Sequence, residues 1–439
     1  MARTARVSVD EHRADVAALL APLVDAARRR TRTEDVDLAD ALGRVLAGDL
    51  LAPVGVPLFR NAQMDGYAVR AADVADARGD APVRLAVVAE IAAAPGVPPR
   101  LAPGTAARIM TGAPVPEGAD AVVPVEDTAT GTFARPPAGP AQEGVTDPAA
   151  GQASTTSADP EPVEVRVPRA AGDFVREAGS DVRPGDVLLT DGTVLAPHHL
   201  AAAAACGVGR VRVVARPRVA VLSTGSELVG PEEAPGHGQV FDANADALGA
   251  AVRRAGGDVV LTARCGDDAE RFAAVLAEAA AVADLVVTSG GVSQGAYEVV
   301  KDVLGGGASS DVTFRSVAMQ PGGPQGFGTA DGTPVLTFPG NPVSAQVSFA
   351  MFLREPLERA AGLPGAERVR TAVLAEPLAS PTGKRQLLRG ATGPGGTVRV
   401  VGGAGSHLVA SMARADVLVD VPADVTEWAA GTEVEVREL

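Results

Sequence analysis

The sequence is poor in the residues that build disulfide frameworks, zinc sites and membrane spans. It has two cysteines, Cys206 and Cys265, which stand far apart and match no metal-ligand pattern. Its five histidines include no pair at the spacing of a zinc site. It has no run of about 18 uncharged apolar residues, and acidic residues interrupt the N-terminal segment where a signal peptide needs an apolar core. We therefore expect a cytoplasmic protein without zinc chemistry.

Basic residues are also scarce, since 39 Lys and Arg stand against 54 Asp and Glu, which gives a net charge of −15. This balance argues against non-specific nucleic-acid binding, because phosphate contacts need a basic surface. An anionic substrate would need a locally positive pocket in such an acidic protein. At 439 residues the chain is too long for one typical core, and about two to four domains are expected.

What the sequence does contain is a set of three polar, glycine-containing turns, each after a short apolar segment that predicts a strand. The predicted strands are 218–222, 284–288 and 334–338. The first turn contains Ser223, Thr224 and Gly225, the second Ser289, Gly290, Gly291, Val292 and Ser293, and the third Pro339, Gly340, Asn341, Pro342 and Ser344. Helices are predicted after the second and third turns, over 296–304 and 345–357.

Junctions of this kind place free backbone N–H groups at the positive end of a helix, which suits a phosphate or another oxyanion. Their spacing matches neither the P-loop nor the dinucleotide-binding fingerprint, so neither ATP nor NAD is implied. A single turn of this type is more often an ordinary connection. In a parallel sheet, however, the three turns would meet at the carboxyl edge, where open α/β sheets bind ligands. The sequence therefore predicts a ligand site at that edge.

The flanking segments predict scaffold rather than chemistry. A helix over 8–30 opens with Ser8 and Glu11 at a capping-box spacing, and a second helix is predicted over 38–45. Short strands separated by turn residues indicate a small β domain within 53–167. Residues 128–162 are rich in Pro, Gly, Ala, Ser and Thr, which predicts a disordered insertion in a loop. Short apolar runs return after residue 369 and predict a compact C-terminal β module.

Five motifs, in order along nearly the whole chain, resemble those of one family. They are 61–69 (NAQMDGYAV), 108–114 (RIMTGAP) with 117–123 (EGADAVV), 222–228 (LSTGSEL), 288–293 (TSGGVS) and 339–344 (PGNPVS). One such motif would be weak evidence, but five in register are specific. The chain is similar to the molybdopterin molybdenumtransferases, the MoeA family, which includes the gephyrin E-domain.

This resemblance implies a multidomain α/β plus β fold. An elongated N-terminal domain would be formed by residues 1–52 and 168–215, with a small β domain inserted at 53–167. A molybdopterin-binding α/β domain at 216–362 and a C-terminal β-barrel-like domain at 363–439 would follow. Members of the family are homodimers whose cleft lies between the α/β domain of one subunit and the inserted region of the other.

The resemblance also implies that molybdate is inserted into adenylylated molybdopterin, with release of AMP and with a divalent cation, usually Mg²⁺. The family's acidic positions correspond here to Asp65, Asp181, Glu227, Asp267 and Asp268, with Thr111 as the TGAP threonine and Glu298 in place of an aspartate. Glu227, Asp267 and Glu298 are the expected metal ligands, because Mg²⁺ takes carboxylate oxygens and bridges phosphates. Without the resemblance, roles in turns and helix caps would be the simpler interpretation of these side chains.

Substrate contacts are expected from the three turns together with Gln320, Arg385 and Ser406, but the chain departs from the family at its expected cations. The common Lys-Pro-Gly-Lys-Pro loop reads Gln-Pro-Gly-Gly-Pro at 320–324, so both lysines are missing. Glutamine offers a neutral amide instead of a charge. Either nearby arginines compensate, or the affinity for the oxyanion is lower. The candidate arginines are Arg315, Arg385 and Arg389.

Two alternative functions stay open at this point. A molybdopterin adenylyltransferase shares the α/β domain but is typically that domain alone, whereas this chain carries the flanking motifs. A pterin-binding scaffold without catalysis is suggested by the two absent lysines, and gephyrin shows that the fold can serve scaffolding. The retained acidic positions favour the molybdenumtransferase over both.

Overall fold

A computed structural model describes residues 6–133, 162–292, 299–306, 310–365 and 368–439. Ser293 and Glu298 lie outside these residues, as does most of the segment predicted to be a disordered insertion. Its predicted first residue, Thr128, is described and is buried, and its hydroxyl donates to the carbonyl oxygen of Val125 at 2.7 Å.

The N-terminal part of the chain, up to Val214, contains the helices α1 (Val9–Arg28) and α2 (Pro197–Ala205). Its strands are β1 (Thr33–Asp37), β2 (Leu50–Leu51), β3 (Asn61–Ala62), β4 (Gly66–Val69), β5 (Val83–Ile91), β6 (Thr105–Ile109), β7 (Ala121–Pro124), β8 (Val163–Val165), β9 (Val175–Arg176), β10 (Val187–Leu189) and β11 (Arg210–Val214). Five of them form one sheet in the order β7-β4-β6-β5-β8. Adjacent residues Ala68 and Val69 enter different apolar cores, as alternation along a strand requires.

The central part is an α/β layer structure with helices α3 (Asn244–Arg254), α4 (Ala269–Val282), α5 (Val299–Gly306), α6 (Pro342–Ser348) and α7 (Arg354–Ala360). Its strands are β12 (Arg218–Thr224), β13 (Leu228–Val229), β14 (Val240–Phe241), β15 (Asp258–Cys265), β16 (Leu285–Ser289), β17 (Ser310–Ser316), β18 (Met319–Gln320), β19 (Pro324–Ala330) and β20 (Thr333–Phe338). The main sheet has the order β15-β12-β16-β20-β19-β17, in which the first four strands are parallel. Both faces of this sheet are covered, because Val221 and Leu222 belong to two different buried cores. Burial on both faces explains why the strands read as continuous apolar runs.

The C-terminal part contains α8 (Val409–Met412) and the strands β21 (Val369–Leu374), β22 (Leu378–Ala379), β23 (Arg385–Thr392), β24 (Thr397–Val400), β25 (Val417–Val421), β26 (Glu427–Trp428) and β27 (Glu433–Glu438). Strands β23, β24, β21, β27 and β25 pair in that order, and β25 pairs back with β23. The five strands therefore close into a barrel. Strand β18 pairs with β23 from outside the ring, so that the barrel is joined to the α/β part.

Helix α1 begins where the sequence predicts. Ser8 is its N-cap residue, and the Ser8 hydroxyl accepts a hydrogen bond from the backbone N–H of Glu11 at 3.1 Å. The apolar face of the helix is buried at Val16 and Leu20, in the same core as one face of the α/β sheet. The N-terminal helix is thus packed against the central layer.

The predicted helix over 38–45 is wrong. Only Leu38–Asp40 forms a single 3-10 turn, and Gly43 then adopts a positive φ of 72°, which ends any helix. Val45 instead pairs with Val194 in an isolated β-bridge. The last predicted helix, over 345–357, starts earlier, at Pro342, and runs through a π-helical turn at Phe349–Leu353 into α7.

The predicted fold class is confirmed, with a mostly parallel α/β sheet and a C-terminal barrel. Among the described residues, no helix combines the length and apolar character that a membrane crossing needs.

Candidate functional site

The three predicted turns meet at the carboxyl edge of the parallel strands and line one cavity of about 840 Å³. The first contributes Thr224 and Gly225, the second Ser289, Gly290, Gly291 and Val292, and the third Pro339, Gly340, Asn341, Pro342 and Ser344. Gln320 and the barrel segment 404–407, which includes Ser406, form further walls. The expectation that the turns gather at one edge is therefore confirmed, and of the predicted first-turn residues Ser223 alone lies beneath the cavity rather than on its wall.

Two glycines of the second turn are required by close backbone packing. Gly290 has a φ of 97°, and a Cβ at this position would overlap the carbonyl oxygen of Thr224. Gly291 has a φ of 64°, and its Cβ would lie 2.6 Å from Cγ2 of Val300 in helix α5. Gly340 of the third turn also lies close, because a Cβ there would be 3.3 Å from Cα of Gly290. The turns pack backbone against backbone, which leaves the space above them for a ligand.

A buried polar network supports the floor of the cavity. The hydroxyl of Ser223 is 3.2 Å from Oδ1 of Asp242 and 3.3 Å from the hydroxyl of Ser289. Oδ1 of Asp242 also accepts the backbone N–H groups of Asn244 and Ala245, at 3.0 and 3.1 Å. These contacts hold strands β12 and β16 and the start of helix α3 in one arrangement.

Asp242 and Asn244 line the cavity, and the sequence reasoning missed both. The side-chain amide of Asn244 donates to the carbonyl oxygen of Gly340 at 2.7 Å, which ties helix α3 to the third turn. The available signal was an aspartate followed two and three residues later by the first residues of a helix, a pattern that marks a helix start. That signal would have predicted a cap, but not a place in the cavity.

Glu227 and Asp267 are the predicted acidic residues that line the cavity. Oδ2 of Asp267 accepts the backbone N–H of Ser226 at 3.3 Å, and the Ser226 hydroxyl accepts the N–H of Asp267 at 3.1 Å. Asp268 is different, because it caps helix α4 and accepts the N–H of Arg271 at 2.9 Å. Its interpretation as a helix-cap residue is confirmed.

Asp65, Thr111 and Asp181 do not line this cavity. Oδ1 of Asp65 accepts hydrogen bonds from both the backbone N–H and the hydroxyl of Thr111, each at 2.7 Å. These two bonds favour the charged carboxylate and lower the pKa of Asp65 below its usual value. The exposed Asp181 is held through its backbone, whose N–H donates to the carbonyl oxygen of Val56 at 2.9 Å. Within one chain, Glu227 and Asp267 thus line the cavity, whereas Asp65 and Asp181 do not.

The arginines expected to replace the missing lysines do not line the cavity either. Arg385 donates from Nε and Nη2 to the two carboxylate oxygens of the buried Asp420, at 2.6 and 2.7 Å. The Asp420 carboxylate accordingly raises the pKa of Arg385. Arg315 pairs with Asp15 at 2.6 Å, and Arg389 is buried and donates to backbone carbonyl groups. The predicted contact between Arg385 and an oxyanion is therefore not supported, because its guanidinium is already paired.

The cavity offers oxygen donors to a hard cation. Across the residues with described side chains, no three His, Cys, Asp or Glu are close enough to form a complete metal site. Mg²⁺ does not need one, because it usually takes one or two carboxylates and completes its shell with water and substrate phosphates. The carboxylates of Glu227 and Asp267, which line the cavity together, fit that requirement.

Comparisons with known proteins match this chain from end to end. Models of the MoeA N-terminal region (domains I and II), a probable molybdopterin binding domain and the MoeA C-terminal region (domain IV) match residues 7–207, 220–359 and 371–439. A Mycobacterium tuberculosis protein named molybdopterin molybdenumtransferase 2 is 44% identical over 438 residues, which are 98% of this chain and 99% of the relative. The molybdopterin molybdenumtransferase of a Nostoc species is 34% identical, with 97% of this chain and 93% of the relative covered.

A solved structure is similar to this chain in fold over its whole length. The crystal structure of a molybdopterin biosynthesis MoeA protein from Pyrococcus horikoshii superposes with a TM-score of 0.72 at 30% identity, and the match covers 99% of both chains. The similarity therefore includes the N-terminal part, the α/β layer and the barrel.

Proposed function

The chain belongs to the MoeA family of molybdopterin molybdenumtransferases, and we propose that it inserts molybdate into adenylylated molybdopterin and releases AMP. It is a transferase of molybdenum cofactor biosynthesis. The observation that carries the finer proposal is the cavity of about 840 Å³, in which three turns of the molybdopterin-binding part face three carboxylates. Its size suits a pterin carrying a phosphoanhydride.

The carboxylates of Glu227 and Asp267 would hold Mg²⁺, and Glu298, which lies outside the described residues, stays a further predicted ligand. A bound Mg²⁺ supplies charge neutralisation at the phosphoanhydride. The neutral donors of Gln320 and Ser406, and the hydroxyl of Ser344, would orient the molybdate. During turnover the bond between the adenylyl phosphorus and the bridging oxygen breaks, and that oxygen leaves with the molybdopterin phosphate. An oxygen from water bonds to the adenylyl phosphorus and gives AMP, either directly or after a molybdate oxygen has first attacked and water has cleaved the resulting adenylyl-molybdate.

A second subunit would complete this site. In the segment that leads to Asp65, the apolar side chains of Leu58, Phe59 and Met64 are exposed. At the rim of the cavity, Phe241 of strand β14 is exposed as well. Exposed apolar side chains on both surfaces support a homodimer in which the region of Asp65 and Asp181 covers the partner's cavity. The ionised Asp65 would then join the carboxylates that act on the phosphoanhydride.

The two alternative functions are not favoured. An adenylyltransferase or a scaffold would account for the α/β part, but the curated relatives that match the whole chain are named molybdopterin molybdenumtransferases. We also propose that the protein is cytoplasmic, and its two free, buried cysteines agree with a reducing compartment.

The proposed reaction is tested by AMP release from adenylylated molybdopterin in the presence of Mg²⁺ and molybdate. We expect molybdate-dependent release by the wild-type protein and a loss of at least about a hundredfold for Asp65→Asn. Asparagine keeps an acceptor oxygen for Thr111 but removes the charge, so the fold should be retained.

Asp76→Asn, an exposed aspartate in the same part of the chain, is the matched control and should keep wild-type turnover. A wild-type protein that releases no AMP at any molybdate concentration would reject the proposed function. Full activity of Asp65→Asn would reject the role of Asp65 but not the proposed function.

A further inference from the structure

The charge of the cavity is the opposite of what an oxyanion needs. Three carboxylates, those of Glu227, Asp242 and Asp267, line it. Molybdate and the phosphate groups of the proposed substrate are anions as well. A divalent cation held by two of these carboxylates would offset part of this charge, but the site of an oxyanion also needs donors of its own.

Lysine and arginine do not supply those donors among the described residues of the cavity wall. From the 320–324 loop, Gln320, Pro321, Gly322 and Pro324 line the cavity, and none of them carries a charge. The guanidinium of Arg385 is bound by Asp420, whose side chain is 1% exposed, and that of Arg315 is bound by Asp15. His407 is the one side chain of a basic type that lines the described wall.

The segment that carries His407 is held from two sides. Arg389, on barrel strand β23, is 2% exposed and donates to the carbonyl oxygens of Val401, Gly403 and Gly405. From the α/β side, the backbone N–H of Val343 donates to the carbonyl oxygen of Ser406 at 3.2 Å. The second bond fixes the segment against the first turn of helix α6, which carries the third turn of the cavity. His407 is thus presented at the cavity by an anchored segment rather than by a free loop.

We propose that His407 is a side-chain contact for molybdate in this protein, a role that rests on the proposed function. A protonated imidazole offers two N–H donors and a full charge, and charge-assisted hydrogen bonds are about twice as strong as neutral ones. An imidazolium in contact with molybdate would take the place of the lysines that the 320–324 loop lacks. The neighbouring hydroxyl of Ser406 adds a neutral donor on the same segment.

The test measures the molybdate concentration that gives half-maximal AMP release in full-length variants. For His407→Gln, which keeps an N–H donor but no charge, we expect this concentration to rise about tenfold or more, with maximal turnover within about threefold of wild type. For His407→Lys, which restores the charge, it should stay within about threefold of wild type. Adding Gln320→Lys to His407→Gln should recover most of the lost affinity, because residue 320 faces the same cavity.

Lys384→Gln is the matched control, because Lys384 belongs to the same barrel and does not line the cavity. An unchanged half-maximal concentration in His407→Gln, beside an active wild-type protein, would overturn the role of His407 and leave the proposed function intact. A higher half-maximal molybdate concentration in Lys384→Gln but not in His407→Gln would likewise overturn the role of His407 and leave the proposed function intact. A wild-type protein without molybdate dependence would overturn both.

Discussion

His12 is a buried histidine that is held neutral by its surroundings. It is 1% exposed, and its ring packs edge-on against Phe352 with the ring centroids 4.6 Å apart. Nε of Arg315 donates to Nδ1 of the imidazole at 3.0 Å, so that Nδ1 must be unprotonated. Burial, and then the charge of Arg315, lower the pKa of His12 to about 3. The contact joins helix α1 to strand β17 of the α/β sheet.

This neutral histidine should make the protein less stable in weak acid. Between pH 6.5 and pH 3 the unfolded chain binds a proton at His12 that the folded chain does not, so stability falls as the pH falls through that range. We expect a contribution of roughly 2 kcal/mol between pH 6.5 and pH 5. Chemical denaturation of wild type and His12→Gln at both pH values measures it.

Glutamine at position 12 retains an acceptor for Arg315 and does not titrate, so this variant should lose that part of the pH dependence. His237→Gln removes an exposed histidine and should keep the wild-type dependence. Equal pH dependence in His12→Gln and wild type would contradict the prediction.

Among single residues, those of the site could be predicted from the sequence only where their neighbours along the chain determine where they lie. The glycines of the turns could be predicted from the residues, because each follows a strand end, whereas Glu227 and Asp267 were predicted only from the family resemblance. Arg385 could not, because its partner Asp420 lies 35 residues away and meets it through the pairing of β23 with β25. Asp242 was not predicted for a related reason, since its place in the cavity depends on a contact with Ser223 of strand β12, which in turn contacts Ser289 of strand β16.

Among the elements, the turn between strand β16 and the following segment depends on a glycine in a way that can be measured. Gly290→Ala would place a methyl group against the carbonyl oxygen of Thr224 at a φ of 97°, so both strain and overlap oppose it. We expect a loss of about 3 kcal/mol or more in the free energy of unfolding, together with weaker substrate binding.

The matched control is Gly332→Ala, in the turn between β19 and β20. Gly332 has a φ of 79° but open space around its Cβ position, so only the strain of about 1 kcal/mol applies. Denaturation measures the free energy of unfolding of both variants, and the difference between their losses is the cost of the steric overlap alone. Equal losses would show that the second turn can move aside, and that close packing of the turns is not required.

Strands and helices were predicted correctly where the local sequence pattern was strong. The strands predicted at 218–222, 284–288 and 334–338 lie within two residues of the observed bounds, because a continuous apolar run is followed there by turn residues. Helix 38–45 failed because an apolar pattern does not overrule Gly43 and the β-bridges that follow it. The antiparallel strand β19 was not predicted, since its glycines at 326 and 328 weaken the strand signal.

At the scale of the whole molecule, Asp65 and the cavity belong to different parts of the chain. The ionised Asp65 lies in the sheet-rich N-terminal part, whereas the cavity is built by the α/β layer and the barrel. The domain boundaries and the dimer remain predictions from the family resemblance. Both depend on contacts between distant segments or between chains, about which local periodicity carries no information.

A site shared between two subunits predicts complementation between inactive variants. Asp65→Asn would damage the covering wall, and Asp267→Asn the cavity itself. In a mixed dimer one of the two sites then pairs both defects, while the other is built from undamaged walls. Equal mixing with random exchange of subunits should therefore restore about a quarter of wild-type AMP release from two proteins that are each inactive.

Mixing Glu227→Gln with Asp267→Asn is the control, because both changes lie in the cavity of their own chain and leave no intact site. If mixed dimers are detected by mass and the first pair still shows no recovery, Asp65 acts within its own chain or not at all.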